Sequence, residues 1–88
     1  MDRSAEYKHH DKVTRYMTFQ LVDRKAKTTV WDVIENRSGG VLGGIRWYGP
    51  WRQYTFQPVG QPIFDDGCLQ VISTFLGELN HKQRGEKL

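Results

Sequence analysis

Arg46, Tyr48, Trp51, Arg52 and Gln53 fall within eight consecutive positions. Between them they offer two aromatic faces, two guanidinium forks and an amide that both donates and accepts. Those are the parts of a recognition surface for a flat, polar-edged or anionic ligand: nucleobases stack on such rings for about 1–3 kcal/mol each, and phosphates pair with guanidinium groups. Trp, Tyr and Arg also dominate protein–protein hot spots, so the pattern specifies binding without choosing between a nucleotide, a nucleic acid and a protein partner. The wider run 45–56 holds five of the chain's eleven aromatic residues. Some of these must serve the core, because a chain of 88 residues buries little apolar area and its few large side chains carry most of it.

Catalytic chemistry finds no comparable set. Asp32 and Glu35 would need to flank a cleft to act as a carboxylate pair; a solvated strand edge is the expected place for them. Cys68 stands near a helix start, where the dipole can lower a thiol pKa. No histidine accompanies it at a useful spacing, and a buried structural role is expected. Gly39-Gly40 and Gly43-Gly44 lack the spacing of a phosphate loop and suit turns and bulges. The His9-His10 pair has no third ligand nearby to complete a metal site. The expectation is a non-enzymatic protein with neither metal nor cofactor.

Charge and cysteine usage narrow the setting. A single cysteine excludes an intramolecular disulfide framework and fits a reducing cytoplasm. No apolar run approaches a membrane span, and the polar start of the chain shows no signal-peptide core, so a soluble cytoplasmic protein with no membrane partner is expected. The formal charge is +3. Residues 13–80 hold seven Lys/Arg against six Asp/Glu, so by composition the folded part is nearly neutral and most of the excess sits at the ends.

The elements that must position the aromatic run can be read from periodicity. Residues 1–12 are polar and aperiodic and read as a flexible arm; 13–80 form one domain; 81–88 read as a fraying tail. Met17, Phe19 and Leu21 alternate with Thr18, Gln20 and Val22, the pattern of a half-buried strand ending in the polar turn 23–27. A second strand runs over 28–35 and stops at Asn36-Arg37-Ser38-Gly39-Gly40, a loop whose Asn and Gly residues accept positive φ. A third strand over 41–48 meets a fourth over 51–57 across Gly49-Pro50; Pro50 excludes a type I′ turn and leaves type II′ or a wider loop. From Cys68 the period changes to three and four, through Leu69, Ile72, Phe75, Leu76 and Leu79, which is one amphipathic helix capped by Asp65 or Asp66.

A two- or four-residue loop is expected to pair Tyr48 with Trp51, Trp47 with Arg52, Arg46 with Gln53 and Ile45 with Tyr54. Alternation then separates two faces. Gly43, Ile45, Trp47, Tyr54 and Phe56, with Arg52 at the margin, form an apolar face that can receive Leu69, Ile72, Phe75 and Leu76 of the helix. Leu42, Gly44, Arg46, Tyr48, Trp51, Gln53 and Thr55 form the other, which one helix cannot cover. That uncovered face is the candidate site, and a one-residue change of register would exchange the two.

The run 30–79 resembles a recurrent family of small phage and prophage proteins. The shared pattern here is Trp31-Asp32-Val33-Ile34-Glu35-Asn36, Ser38-Gly39, Leu42-Gly43, Ile45-Arg46-Trp47-Tyr48, Trp51-Arg52-Gln53-Tyr54, Phe56-Gln57-Pro58, and Cys68-Leu69 with Ile72. The resemblance implies a phage-encoded accessory protein acting in the host cytoplasm. Together these readings predict an α+β fold, an antiparallel meander of about four strands with one C-terminal helix on one face, or a three-stranded core with an irregular first strand. The expected partner is a nucleotide-type ligand or nucleic acid, or a host enzyme or anti-phage defence complex that the protein inhibits. Unpaired sheet edges and the open face add an expected homodimer or higher oligomer.

Overall fold

The computed structural model describes residues 11–85; His9 and His10, and most of the arm read at 1–12, lie outside them. Five strands follow in chain order, β1 (Lys12–Val13), β2 (Met17–Arg24), β3 (Thr29–Glu35), β4 (Val41–Tyr48) and β5 (Gln53–Pro58), before one helix, α1 (Asp66–Gln83). The strands pair antiparallel in the order β1-β2-β3-β4-β5, so each hydrogen-bonds to its neighbour in sequence. The fold is the α+β meander with a C-terminal helix, with five strands in place of four. The additional strand, β1, is two residues long, too short for alternation to reveal. It is held by side chains: Lys12 pairs with Glu78 of α1 at 3.0 Å, and Asp11 Oδ1 accepts the Leu21 N–H at 3.0 Å.

The alternation that defines the strands also builds the core. Met17, Phe19, Trp31, Val33, Ile45 and Tyr54 point from one face of the sheet onto Ile72 and Phe75 of α1, and all eight are buried. Phe75 is the junction. Its ring stacks on Phe19 at 4.2 Å between centroids and meets Trp31 edge-on at 5.0 Å. Offset and edge-on contacts of this kind suit the ring quadrupoles and add to simple burial.

Two details of the packing differ from the sequence reading. Leu69, expected in the buried stripe, is 52% exposed. At 3.6 residues per turn it lies about 60° around from Ile72, on the side away from Phe75, and Val71 is half-buried against the core instead. Leu42, expected on the uncovered face, packs against the core. A bulge causes this: Val33 pairs with Gly43 but Ile34 pairs with Val41, leaving Leu42 outside the ladder and turning it inward. The helix also runs to Gln83, three residues into the segment read as tail, with His81 and Lys82 in its last turn, where cations oppose the negative end of the dipole. At its start Asp65 accepts the Cys68 N–H at 2.9 Å.

Gly39 takes φ +78° in the β3–β4 loop, the conformation for which glycine was expected there. Gly43 meets a different demand: a Cβ on it would stand 2.6 Å from the Gln57 carbonyl oxygen and 2.8 Å from Phe56. Only glycine lets β5 and the Phe56 ring approach β4 this closely.

Candidate functional site

The β4–β5 connection decides where the predicted site residues point. Gly49–Trp51 form one 3₁₀ turn, with Pro50 at its start, where a missing N–H costs nothing. Arg52 then takes φ +54°, ψ +46° and donates its N–H to the Gly49 carbonyl at 3.0 Å. The loop therefore has four residues, and Tyr48 pairs with Gln53, Trp47 with Tyr54, Arg46 with Thr55 and Ile45 with Phe56. Each expected partner is displaced by two positions. Because side chains alternate with period two, a shift of two keeps every strand residue on its face.

Arg46, Tyr48, Gln53 and Thr55 accordingly lie on the side of the sheet away from α1. Trp51 and Arg52 are not strand residues, as the expected ladder had them; both stand on the loop at the end of the sheet. Trp51 is 65% exposed, and its ring meets Tyr48 edge-on at 5.1 Å, with 86° between the planes. Trp47 is half-buried on the helix side, edge-on to Tyr54 at 5.5 Å. The two tryptophans thus divide the roles, one in the core and one on the surface.

Behind Tyr48 the open face is polar. The Arg46 guanidinium folds across Gly44, near enough that a Cβ there would lie 3.4 Å from Nη2. Among the described residues it makes no ion pair. Gln20, Asp32, Gly44 and Gln57 form one cross-strand row beneath it, and Gln57 donates to Thr55 Oγ1 at 3.2 Å. The face can stack a flat group on Trp51 or on Tyr48, whose planes are nearly perpendicular, hold an anion at Arg46 and read polar edges through Gln53.

The other residues considered for chemistry resolve simply. Asp32 lies on the open face, whereas Glu35 lies three positions along on the helix side and accepts from Ser38 Oγ at 2.7 Å, so the two carboxylates share no cleft. Cys68 is half-buried; its thiol faces the Asp65 carboxylate, which raises the thiol pKa, while the Asp65 pKa is lowered first by the Cys68 backbone N–H it accepts and second by the thiol. This opposes the depressed thiol pKa that a helix start can produce. Among the described residues no group of His, Cys, Asp or Glu could hold a metal, and no helix is long and apolar enough to cross a membrane. Sequence reasoning did not bring together Lys25 and Lys27 of the β2–β3 turn and Lys82 of α1, which line one cleft beside Tyr54. The signal available was the basic run in 23–27, which reads locally as an ordinary polar turn.

No protein-family model matches the chain, and no solved structure matches it. Over 74 residues it is 32% identical to an uncharacterised 9.3 kDa protein of Acholeplasma phage L2, a match covering 83% of this chain and 95% of that protein. By this match the chain belongs to the family of small phage proteins that includes the phage L2 protein.

Proposed function

We propose that the protein is a non-enzymatic, phage-encoded binding module of the host cytoplasm that captures an anionic, base-containing ligand, a nucleotide or a nucleic acid, on the open face of its sheet. One observation carries the reading: Trp51 is held out from the fold, edge-on to Tyr48, at the end of a sheet on whose open face the Arg46 guanidinium has no carboxylate partner among the described residues. A large exposed ring gains little for folding and much for a stacked base. Arg46 and Arg52 supply phosphate contacts and Gln53 an edge contact. Fluorescence anisotropy titrations of labelled nucleotides and short single-stranded oligonucleotides test this, comparing wild type with Trp51→Ala. Wild type should bind and the variant should bind much more weakly. Equal binding by both removes the open face from the function.

The alternative is an inhibitor that presents the same face to a host enzyme or anti-phage defence complex, favoured by the same Trp, Tyr and Arg content. Salt separates the two. Counterion release makes nucleic-acid affinity fall steeply between about 50 and 200 mM salt, whereas an aromatic-centred protein interface loses much less.

Self-association belongs to the proposal with its surface restricted. The Tyr54 N–H on the outer edge of β5 is taken by Asn80 Oδ1 at 2.7 Å, Pro58 offers no N–H, and Asp11 covers Leu21 on the opposite edge. Edges blunted in this way resist strand pairing, so a homodimer uses the open face and competes with ligand. Sedimentation should show ligand converting dimer to monomer; a dimer unaffected by saturating ligand contradicts a shared surface.

A further inference from the structure

Composition makes the folded part almost neutral, but the topology sorts its charges. In an antiparallel meander the β2–β3 turn and the β4–β5 loop lie at the same end of the sheet. The C-terminal turn of α1 joins them there, since Asn80 bonds to Tyr54 N–H and Gln83 lies beside the Tyr54 hydroxyl. The three segments 23–29, 48–53 and 79–85 carry six Lys/Arg against one Asp/Glu, while the rest of the described residues carry four against six. One pole is strongly basic.

A cleft of about 390 Å³ opens in this pole, lined by Arg24, Lys25, Lys27 and Lys82 around Thr29 and Tyr54. Its floor is fixed by hydrogen bonds. Trp31 Nε1 donates to Thr29 Oγ1 at 2.8 Å, and the Thr29 N–H donates to the Tyr54 hydroxyl at 3.0 Å. Tyr54 is only 4% exposed, yet the nearest acceptors for its own proton, Gln83 Oε1 and Thr29 Oγ1, lie at 3.5 Å, well beyond the roughly 2.5–3.0 Å of a good O–H···O bond. A buried phenol whose proton is weakly engaged, in a cleft lined by three lysines, suits an oxyanion. The Lys25 contact with Asp23, at 3.5 Å between two exposed side chains, is of the kind worth little in water and readily exchanged for a phosphate.

The cleft lies on the helix side of the sheet, and Tyr48 lies on the other. A ligand touching both must pass over the end of the sheet. In a nucleoside monophosphate the one phosphate adjoins the base, so a base stacked on the open face leaves the cleft unfilled, whereas a strand with successive phosphates fills both. We propose that the ligand is single-stranded nucleic acid, its bases on Trp51 and Tyr48 and its phosphates running over the basic pole into the cleft at Lys25, Lys27, Lys82 and Tyr54. The inference rests on the open-face reading for the bases and stands on its own observations for the phosphates.

The test is fluorescence anisotropy with an oligothymidylate of about ten nucleotides, a length typical of single-strand sites, followed across salt and compared with thymidine monophosphate. Wild type should bind the oligonucleotide far more tightly than the mononucleotide. Lys27→Ala/Lys82→Ala should weaken binding at low salt and flatten the dependence of log K on log salt by about 1.4, from about 0.7 per lost phosphate contact. Trp51→Ala should weaken binding with the slope unchanged. A double lysine variant with wild-type slope and affinity overturns the cleft while leaving the open face standing. A mononucleotide bound as tightly as the oligonucleotide overturns the single-strand assignment. If Trp51→Ala binds like wild type while the lysine variant loses binding, the cleft holds and the open-face reading fails. All variants alter exposed side chains, so unchanged melting confirms that folding is not the cause.

Discussion

Phe75→Ala removes the ring on which sheet and helix meet, and its cost can be built from the contacts. The side chain is 5% exposed, stacked on Phe19 at 4.2 Å and edge-on to Trp31 at 5.0 Å. Returning it to water loses about 2–3 kcal/mol of transfer free energy. The hole left behind adds about 2 kcal/mol if about 80 Å³ of it persists, at about 24 cal/mol per Å³. The sum, about 4–5 kcal/mol, compares with a total stability of about 4–13 kcal/mol for a chain of 88 residues at about 0.05–0.15 kcal/mol per residue. The variant should therefore lose about a third or more of its stability at 25 °C, and all of it at the low end of that range. Urea unfolding followed by near-ultraviolet circular dichroism reads it directly, with Phe75→Leu as the partial truncation that should retain about half the loss. A Phe75→Ala protein destabilised by less than about 1.5 kcal/mol, with an unchanged denaturant slope, would show that α1 does not rest on this ring and that the face assignment is wrong.

Three further outcomes follow from the same geometry. Trp51→Ala should melt nearly as wild type while losing ligand, whereas Trp47→Ala, which removes the ring beside Tyr54, should cost about 2–4 kcal/mol in chemical denaturation; the reverse pattern would mean that the two faces are exchanged. Asp65→Ala removes the cap on α1 and should lower the melting temperature at neutral pH. Because hydrogen bonds to Cys68 hold the folded Asp65 carboxyl below its ordinary 3.8, its contribution is present above that value and lost as pH falls through the folded pKa, so the gap between wild type and variant should close in acid; a gap constant to low pH contradicts a charged cap. Gly43→Ala should cost about 2 kcal/mol or more, since the new methyl meets backbone at 2.6 Å, while Gly44→Ala meets its nearest neighbours at 3.4 Å and should cost clearly less. Equal losses at the two glycines would place the close strand approach elsewhere.

The α+β meander was legible because β2, β3 and β4 alternate over seven or eight residues each and α1 repeats over eighteen. What stayed hidden has local physical causes. β1 is too short to alternate and depends on Asp11 and Lys12 side chains for its place. The bulge that turns Leu42 inward leaves no mark beyond the neighbouring glycines. Loop length was ambiguous because Pro50 excludes one turn type without choosing among the others, yet the faces survived because the displacement was even. The basic pole could not be read by summing charge along segments: Lys25, Lys27 and Lys82 meet only once the meander sets the β2–β3 turn beside the end of α1.

Arg52 holds the last test, because it is the described non-glycine residue with positive φ. The left-handed region costs an ordinary L-residue about 1–2 kcal/mol, and Asn or Gly is the usual occupant of such a position. An arginine there trades stability for what its side chain and the loop can do. Arg52→Gly relieves the strain but adds about 0.5–1 kcal/mol of unfolded-chain entropy, so it should leave stability unchanged or raise it by up to about 1.5 kcal/mol. Arg52→Asn, which tolerates the same φ without that entropy, should be at least as stable. Both lose one charge beside Trp51. If the guanidinium meets a phosphate, each should flatten the salt dependence of oligonucleotide binding by about 0.7, and Arg52→Lys should restore the slope while keeping the strain. Stability that rises in Arg52→Asn with no change in slope would make the loop conformation, and not the charge, the reason for the residue. Stability that falls by more than about 1 kcal/mol in both would show that Arg52 makes a packing contact the loop depends on.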